Sequence, residues 1–176
     1  MKITRPIRAV LFDMDGVMVD SEFVYMKYLL EFAKEKNPAV KMEDINPMVG
    51  RSRQDSWTVM EQAVNNGENW ETLIREWADR DIYSQIDYRK IFRPEMKTTV
   101  QELKRRGYIV ALVSSTGPKL ISRIVEEVGM RPEFDLIVSG KQFKQSKPNP
   151  EIYHYTANIL GVREDECFVV EDSTVG

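Results

Sequence analysis

Hydrophobic positions change their spacing twice along the chain, and the two changes divide it. From Ile7 to Phe12 apolar residues run almost without a break, as in a strand covered on both faces. From Ser21 to about Ile86 the spacing becomes helical. Tyr25, Tyr28, Leu29 and Phe32 recur behind Asp20 or Ser21 as the candidate N-cap. Ser52 and Asp55 form a variant capping box ahead of Trp57, Met60 and Val64. Trp70, Leu73, Ile74, Trp77 and Ala78 make the clearest amphipathic face. Aromatic stripes at this spacing predict the core of a small helical bundle, not a cofactor box.

Beyond Pro94 strands and helices alternate. A helix through Val100 and Leu103 ends at Arg105-Arg106-Gly107, with cations in the last turn and glycine after it. Tyr108 to Val113 is a strand, Pro118 starts a helix that runs to Gly129, and Phe134 to Val138 is a strand. Asn149 and Pro150 read as the N-cap and first position of a helix ending at Gly161, and Phe168 to Val170 is the last strand. This alternation predicts an α/β fold: a Rossmann-like parallel sheet with helices on both faces. The helical stretch is then an insertion after the first strand. The expected core comprises residues 1–18 and 90–176, and the bundle residues 19–89.

Composition narrows the functional classes. With 176 residues, 42% of them hydrophobic and 30% charged, the chain is an ordinary globular one of one or two compact units. A net charge of -3 leaves no electrostatic footprint for nucleic acid or an anionic membrane surface. The opening MKITRPIRAV is too briefly apolar for a signal peptide, and no run approaches a membrane span. A single cysteine, Cys167, suits a reducing, cytoplasmic compartment, and its place in CFVVED predicts a buried strand thiol.

In open parallel sheets ligands bind beyond the carboxyl ends of the strands. The first strand leads into Asp13-Met14-Asp15-Gly16, the second into Ser114-Ser115-Thr116-Gly117, and the third through Gly140 to Lys147. The last leads into Glu171-Asp172-Ser173. Two carboxylates one residue apart repel, and a cation, a proton or both must compensate them. Carboxylate oxygens suit a hard cation such as Mg2+, which favours phosphate as a partner. Hydroxyls and N–H groups at a helix start suit phosphate oxygens. No Walker-type loop and no GxGxxG occurs. Lys141 and Lys144 read as a solvated face, and His154 as packed or exposed rather than catalytic.

Four segments, DMDGVMVDSE, VSS, SKPNPE and VVEDS, occur in the order and rough spacing of the motifs of the haloacid dehalogenase superfamily. The chain resembles its phosphatases and β-phosphoglucomutases, which carry a helical cap after the first motif. The resemblance implies that Asp13 is a nucleophile forming an aspartyl-phosphate, and Asp15 the acid and base for leaving group and water. It implies that Ser114, with Ser115 nearby, binds the transferring phosphoryl group, although Ser114 could instead cap the next helix. Lys147 would offset charge on Asp13 and the phosphate. Asp13, Asp15 through its carbonyl, Glu171 and Asp172 would form the Mg2+ site, with a purely structural Glu171 as the alternative.

The cap loop VGRSRQD resembles the family's substrate-facing loop, which makes Gly50 and Arg53 substrate-binding candidates. A mutase histidine is replaced here by Tyr25. The implied function is Mg2+-dependent hydrolysis of a small phosphorylated metabolite. Sugar-phosphate mutase and a silent metabolite-binding protein are the alternatives. Segments Gly16 to Asp20 and Ile86 to Arg93 are the expected hinges. The chain stops at Gly176, where family members usually add another strand and helix, so the core is expected to be shortened there and its sheet edge bare. A monomer is expected, with a dimer as the alternative.

Overall fold

The computed structural model describes residues 6–49, 51–145 and 147–173. Four strands, β1 (Ala9–Phe12), β2 (Ile109–Ser114), β3 (Leu136–Ser139) and β4 (Cys167–Val170), form a parallel sheet in the order β3-β2-β1-β4. The register sets Phe12 beside both Leu112 and Val170, and Ser114 beside Ser139. All four carboxyl ends therefore lie on one rim, with β2 and β3 running two residues beyond β1 and β4. The sequence expectation of an α/β parallel sheet holds.

Side-chain alternation explains why both faces are apolar. Ala9, Leu11, Ala111, Val113 and Val138 pack against Ile152 and Ala157 of helix α9 (Glu151–Leu160). Val10, Phe12, Val110 and Leu112 are buried on the opposite face, where Val10 shares a groove with Thr98 and Leu103 of α7 (Glu95–Arg105). Each fully buried aliphatic side chain of this kind contributes about 1.5–3 kcal/mol. Helix α7 ends as its sequence requires, with Lys104 and Arg105 in the last turn and Gly107 at φ +87°. Helix α8 (Pro118–Glu127) follows β2.

The chain divides into two compact units, one from the segments up to Ser21 and from Asp87 onward, the other from Glu22 to Ile86. The second unit contains α1 (Ser21–Lys36, from its second residue), α2 (Met42–Ile45), α3 (Arg53–Val64), α4 (Trp70–Ala78) and α5 (Ile82–Gln85). Its core is Phe32, Met60 and Leu73, with Trp57 and Trp77 closing on the Phe32 ring. Ser52 caps α3 by accepting from Asp55 N, and Asn69 caps α4 by accepting from Thr72 N.

The unit boundaries lie at Ser21/Glu22 and Ile86/Asp87, a few residues from the 18/19 and 89/90 read from the pattern. Backbone pairing is the reason. Val19 bridges to Phe92, Asp20 N donates to Ile91 O, and Arg93 N donates to Met18 O. The two expected hinge segments are thus bonded to each other, and the second contains the short helix α6 (Tyr88–Ile91).

Two details differ from the sequence reading. The α9 cap falls at Pro150, with Asn149 Oδ1 accepting from Glu151 N one residue outside it. Cys167 is only half-buried, because it opens a strand at the sheet edge, and its Sγ lies 3.4 Å from Arg163 O. Phe168 and Val169 of the same strand are 44% and 39% exposed. No helix among the described residues is long and apolar enough to cross a membrane.

Candidate active site

Asp13 leaves β1 at the rim and is buried. Lys147, 134 residues later, donates to Asp13 Oδ1 at 2.7 Å, to Glu171 Oε1 at 2.7 Å and to Val113 O at 3.0 Å. The three donors of its ammonium group thus meet three acceptors from three strand ends. Asp13, Glu171 and Asp172 each offer a carboxylate oxygen, and these oxygens lie within 4.8 Å of one another.

Opposing effects set the charge of Asp13. Burial pushes its pKa up to about 6; Lys147 pulls it down, while Glu171 and Asp15 push it further up. The lysine alone therefore does not hold Asp13 firmly ionised, because desolvation outweighs one ion pair. Lys147 itself stays charged. Burial works against its ammonium, but Asp13 and Glu171 outweigh that and hold its pKa above the ordinary lysine value.

Asp15 is gripped by two hydroxyls. Ser21 Oγ donates to Oδ1, and Thr116 Oγ1 donates to Oδ2 at 2.9 Å. A hydroxyl can donate or accept, so this grip serves the ionised and the protonated carboxyl alike. Sequence reasoning missed both residues in this role. Ser21 looked like a helix cap, and Thr116 stood next to two serines that looked more useful.

Gly16 carries the turn after Asp15 at φ +76°, and a Cβ placed there would lie 1.8 Å from Asp172 Oδ2. Only glycine lets the β1 turn approach the β4 carboxylate this closely. Ser114 is fully buried, and its Oγ accepts from Thr116 N at 3.0 Å. It does not cap α8, whose N-cap is Gly117. Ser115 is half-exposed at the same strand end.

Tyr153 was also missed. It lies in the first turn of α9, its hydroxyl 3.4 Å from Glu171 Oε1 and its ring centroid 5.2 Å from Lys147 Nζ. The only signal was its position shortly after SKPNPE. Lys141 and Lys144 are exposed as expected, and His154 is exposed with Nδ1 2.6 Å from Glu164 Oε1.

In the helical unit, Arg53 is the exposed first residue of α3. It lines a cavity of about 500 Å3 with Tyr25, Trp57, Trp77, Asp81 and Tyr83. Tyr25 accepts from Trp77 Nε1 at 3.0 Å and stacks on Tyr83 at 6.0 Å. Burial raises the Tyr25 pKa above its ordinary value, with Trp77 and Arg53 acting in the other direction. Gly50 lies outside the described residues.

Carboxylates, a lysine and hydroxyls gather beyond the strand carboxyl ends, where open α/β sheets bind ligands. The family model for haloacid dehalogenase-like hydrolases matches residues 10–176, and the chain belongs to that family. Hexitol phosphatase B of Escherichia coli is 26% identical over 100% of this chain and 80% of its own length. The phosphorylated carbohydrates phosphatase of Thermotoga maritima is 25% identical, covering 97% and 78%. Among solved structures, a β-phosphoglucomutase from Clostridium difficile superposes with a TM-score of 0.67 at 22% identity, covering 97% and 78%. A HAD phosphatase from Thermococcus onnurineus superposes at 0.61 and 23%, covering 96% and 79%. At those identities the structures establish the shared fold.

Proposed function

We propose that this chain is a Mg2+-dependent phosphatase that hydrolyses the phosphate monoester of a small sugar or polyol through an aspartyl-phosphate on Asp13. The observation that carries it is Lys147 joining Asp13 and Glu171 at 2.7 Å each, beside Asp172. The donor set fits the cation. It offers hard carboxylate oxygens, converging and partly buried, with more negative charge than one lysine neutralises.

Asp13, Glu171 and Asp172 would hold Mg2+, with the Asp15 carbonyl as a further ligand. The ion would supply positive charge that favours ionised Asp13 and binds phosphate oxygen. A carboxylate oxygen of Asp13 attacks phosphorus as the ester P–O bond breaks, and protonated Asp15 gives its proton to the departing oxygen. Water then attacks the aspartyl-phosphate, Asp15 takes the water's proton, and Asp13 and phosphate are released. Ser21 and Thr116 keep Asp15 aimed through both steps. Ser114 and Ser115 bind the phosphoryl oxygens, and the Lys147 charge offsets theirs.

Arg53, in the loop that resembles the family's substrate-facing loop, recognises the non-reacting part of the substrate. Its guanidinium suits hydroxyls or a second anion. The names of the two curated relatives support that substrate class. The mutase reading, favoured by Arg53, is weakened by Tyr25. Its phenol is bonded to Trp77, and its raised pKa makes it a poor base at neutral pH.

The test is phosphate release from a panel of sugar and polyol phosphates and from p-nitrophenyl phosphate, with Mg2+ and with chelator. Metal-dependent release supports the reading. No release from any substrate with Mg2+ sinks it in favour of a binding protein, and isomerised sugar phosphate without release favours the mutase.

A further inference from the structure

Glu171 and Lys147 reach one another from different strand ends, and both are long side chains that need something to hold them. Lys147 has its three donors occupied, but nothing in those contacts decides where Glu171 directs its second oxygen. Tyr153 touches both. Its hydroxyl lies 3.4 Å from Glu171 Oε1, the oxygen that Lys147 also binds, and its ring centroid lies 5.2 Å from the ammonium. The α9 first turn fixes the residue, because neighbouring Ile152 is buried in the sheet core and Tyr153 packs against the same cluster.

We infer that Tyr153 is a positioning residue for the carboxylate-lysine centre. Its hydroxyl fastens Glu171 Oε1 on the lysine side, which leaves the other Glu171 oxygen for the cation. Its ring seats the ammonium against Asp13. This deepens the phosphatase reading and rests on it for the cation's identity. Two roles in one side chain make separable demands. The hydroxyl acts through Glu171 and so on metal affinity. The ring acts through Lys147, by cation–π attraction and by excluding water, and so on the chemical step.

The test uses the full chain and its Tyr153→Phe and Tyr153→Leu variants, with Mg2+ as the probe. Calorimetric Mg2+ titration, which needs no turnover, should show binding weakened about tenfold in both variants. The melting temperature in chelator should differ by less than about 3 °C between wild type and Tyr153→Phe, since the ring still packs. At saturating Mg2+, kcat of Tyr153→Phe should stay within about twofold of wild type, while Tyr153→Leu should lose about tenfold or more. Unchanged Mg2+ affinity in Tyr153→Phe overturns the hydroxyl's role. Equal kcat in the two variants overturns the ring's role, and a wild type that binds no Mg2+ overturns the inference as a whole. If Mg2+ binding depends on Tyr153 but no phosphate ester is hydrolysed, the phosphatase reading fails and the hydroxyl's positioning role stands.

Discussion

Replacing Asp13 with asparagine should stabilise the metal-free protein while abolishing turnover. The structure places the carboxyl where burial lifts its pKa from 3.8 to about 6 despite the Lys147 contact. A carboxyl with a raised native pKa contributes stability that is fully present below pH 3.8 and lost as pH rises through about 6. At about 1.4 kcal/mol per unit, the shift leaves ionised Asp13 costing the fold about 3 kcal/mol at pH 8. The cost shrinks as pH falls from 8 towards 4, because the buried carboxyl takes up its proton. Asparagine resembles the protonated acid, since its oxygen can take the Lys147 bond and it carries no charge to desolvate. Urea unfolding of wild type and Asp13→Asn in chelator at pH 4, 5 and 8 should therefore show a gap in favour of the variant that widens with pH. Added Mg2+ should close the gap by stabilising wild type more. A variant less stable than wild type at pH 8, or a gap that does not change with pH, would refute the reasoning. So would substantial turnover by the purified variant.

Gly16→Ala should destabilise the fold by about 1–3 kcal/mol through its positive φ and, by displacing Asp172, weaken Mg2+ binding; thermal melts with and without Mg2+ check both. Asp172→Ala and Glu171→Ala should each weaken Mg2+ binding in calorimetry, Asp172→Ala the more, since Glu171 also serves Lys147. Thr116→Val should lower kcat about tenfold with little change in KM, because one of the two hydroxyls that aim Asp15 is removed; steady-state kinetics decide it. Arg53→Ala should raise KM for an anionic sugar phosphate about tenfold and leave p-nitrophenyl phosphate hydrolysis nearly unchanged, and equal losses on both would assign Arg53 a structural role.

Much of this molecule was legible in the chain because it depends on local rules. Unbroken apolar runs bounded by glycine and proline marked the strands, and the spacing from Tyr25 to Trp77 marked the helical insertion. Carboxylates, hydroxyls and Lys147 stood just past strand ends, and parallel strands present those ends on one rim. Asp13, Asp15, Ser114, Lys147, Glu171 and Asp172 could therefore be grouped before any contact was known. Tertiary structure decided what they do to one another. Whether Lys147 keeps Asp13 ionised is a contest between desolvation and one ion pair, and burial depth is not written in residue order. The Thr116 bond to Asp15 spans 101 residues, and the approach of Gly16 to Asp172 joins two strand ends that meet only because β4 lies beside β1. Tyr153 carries no motif of its own. It matters because α9 packs its neighbour Ile152 into the sheet, and that packing swings a phenol onto a carboxylate from another strand.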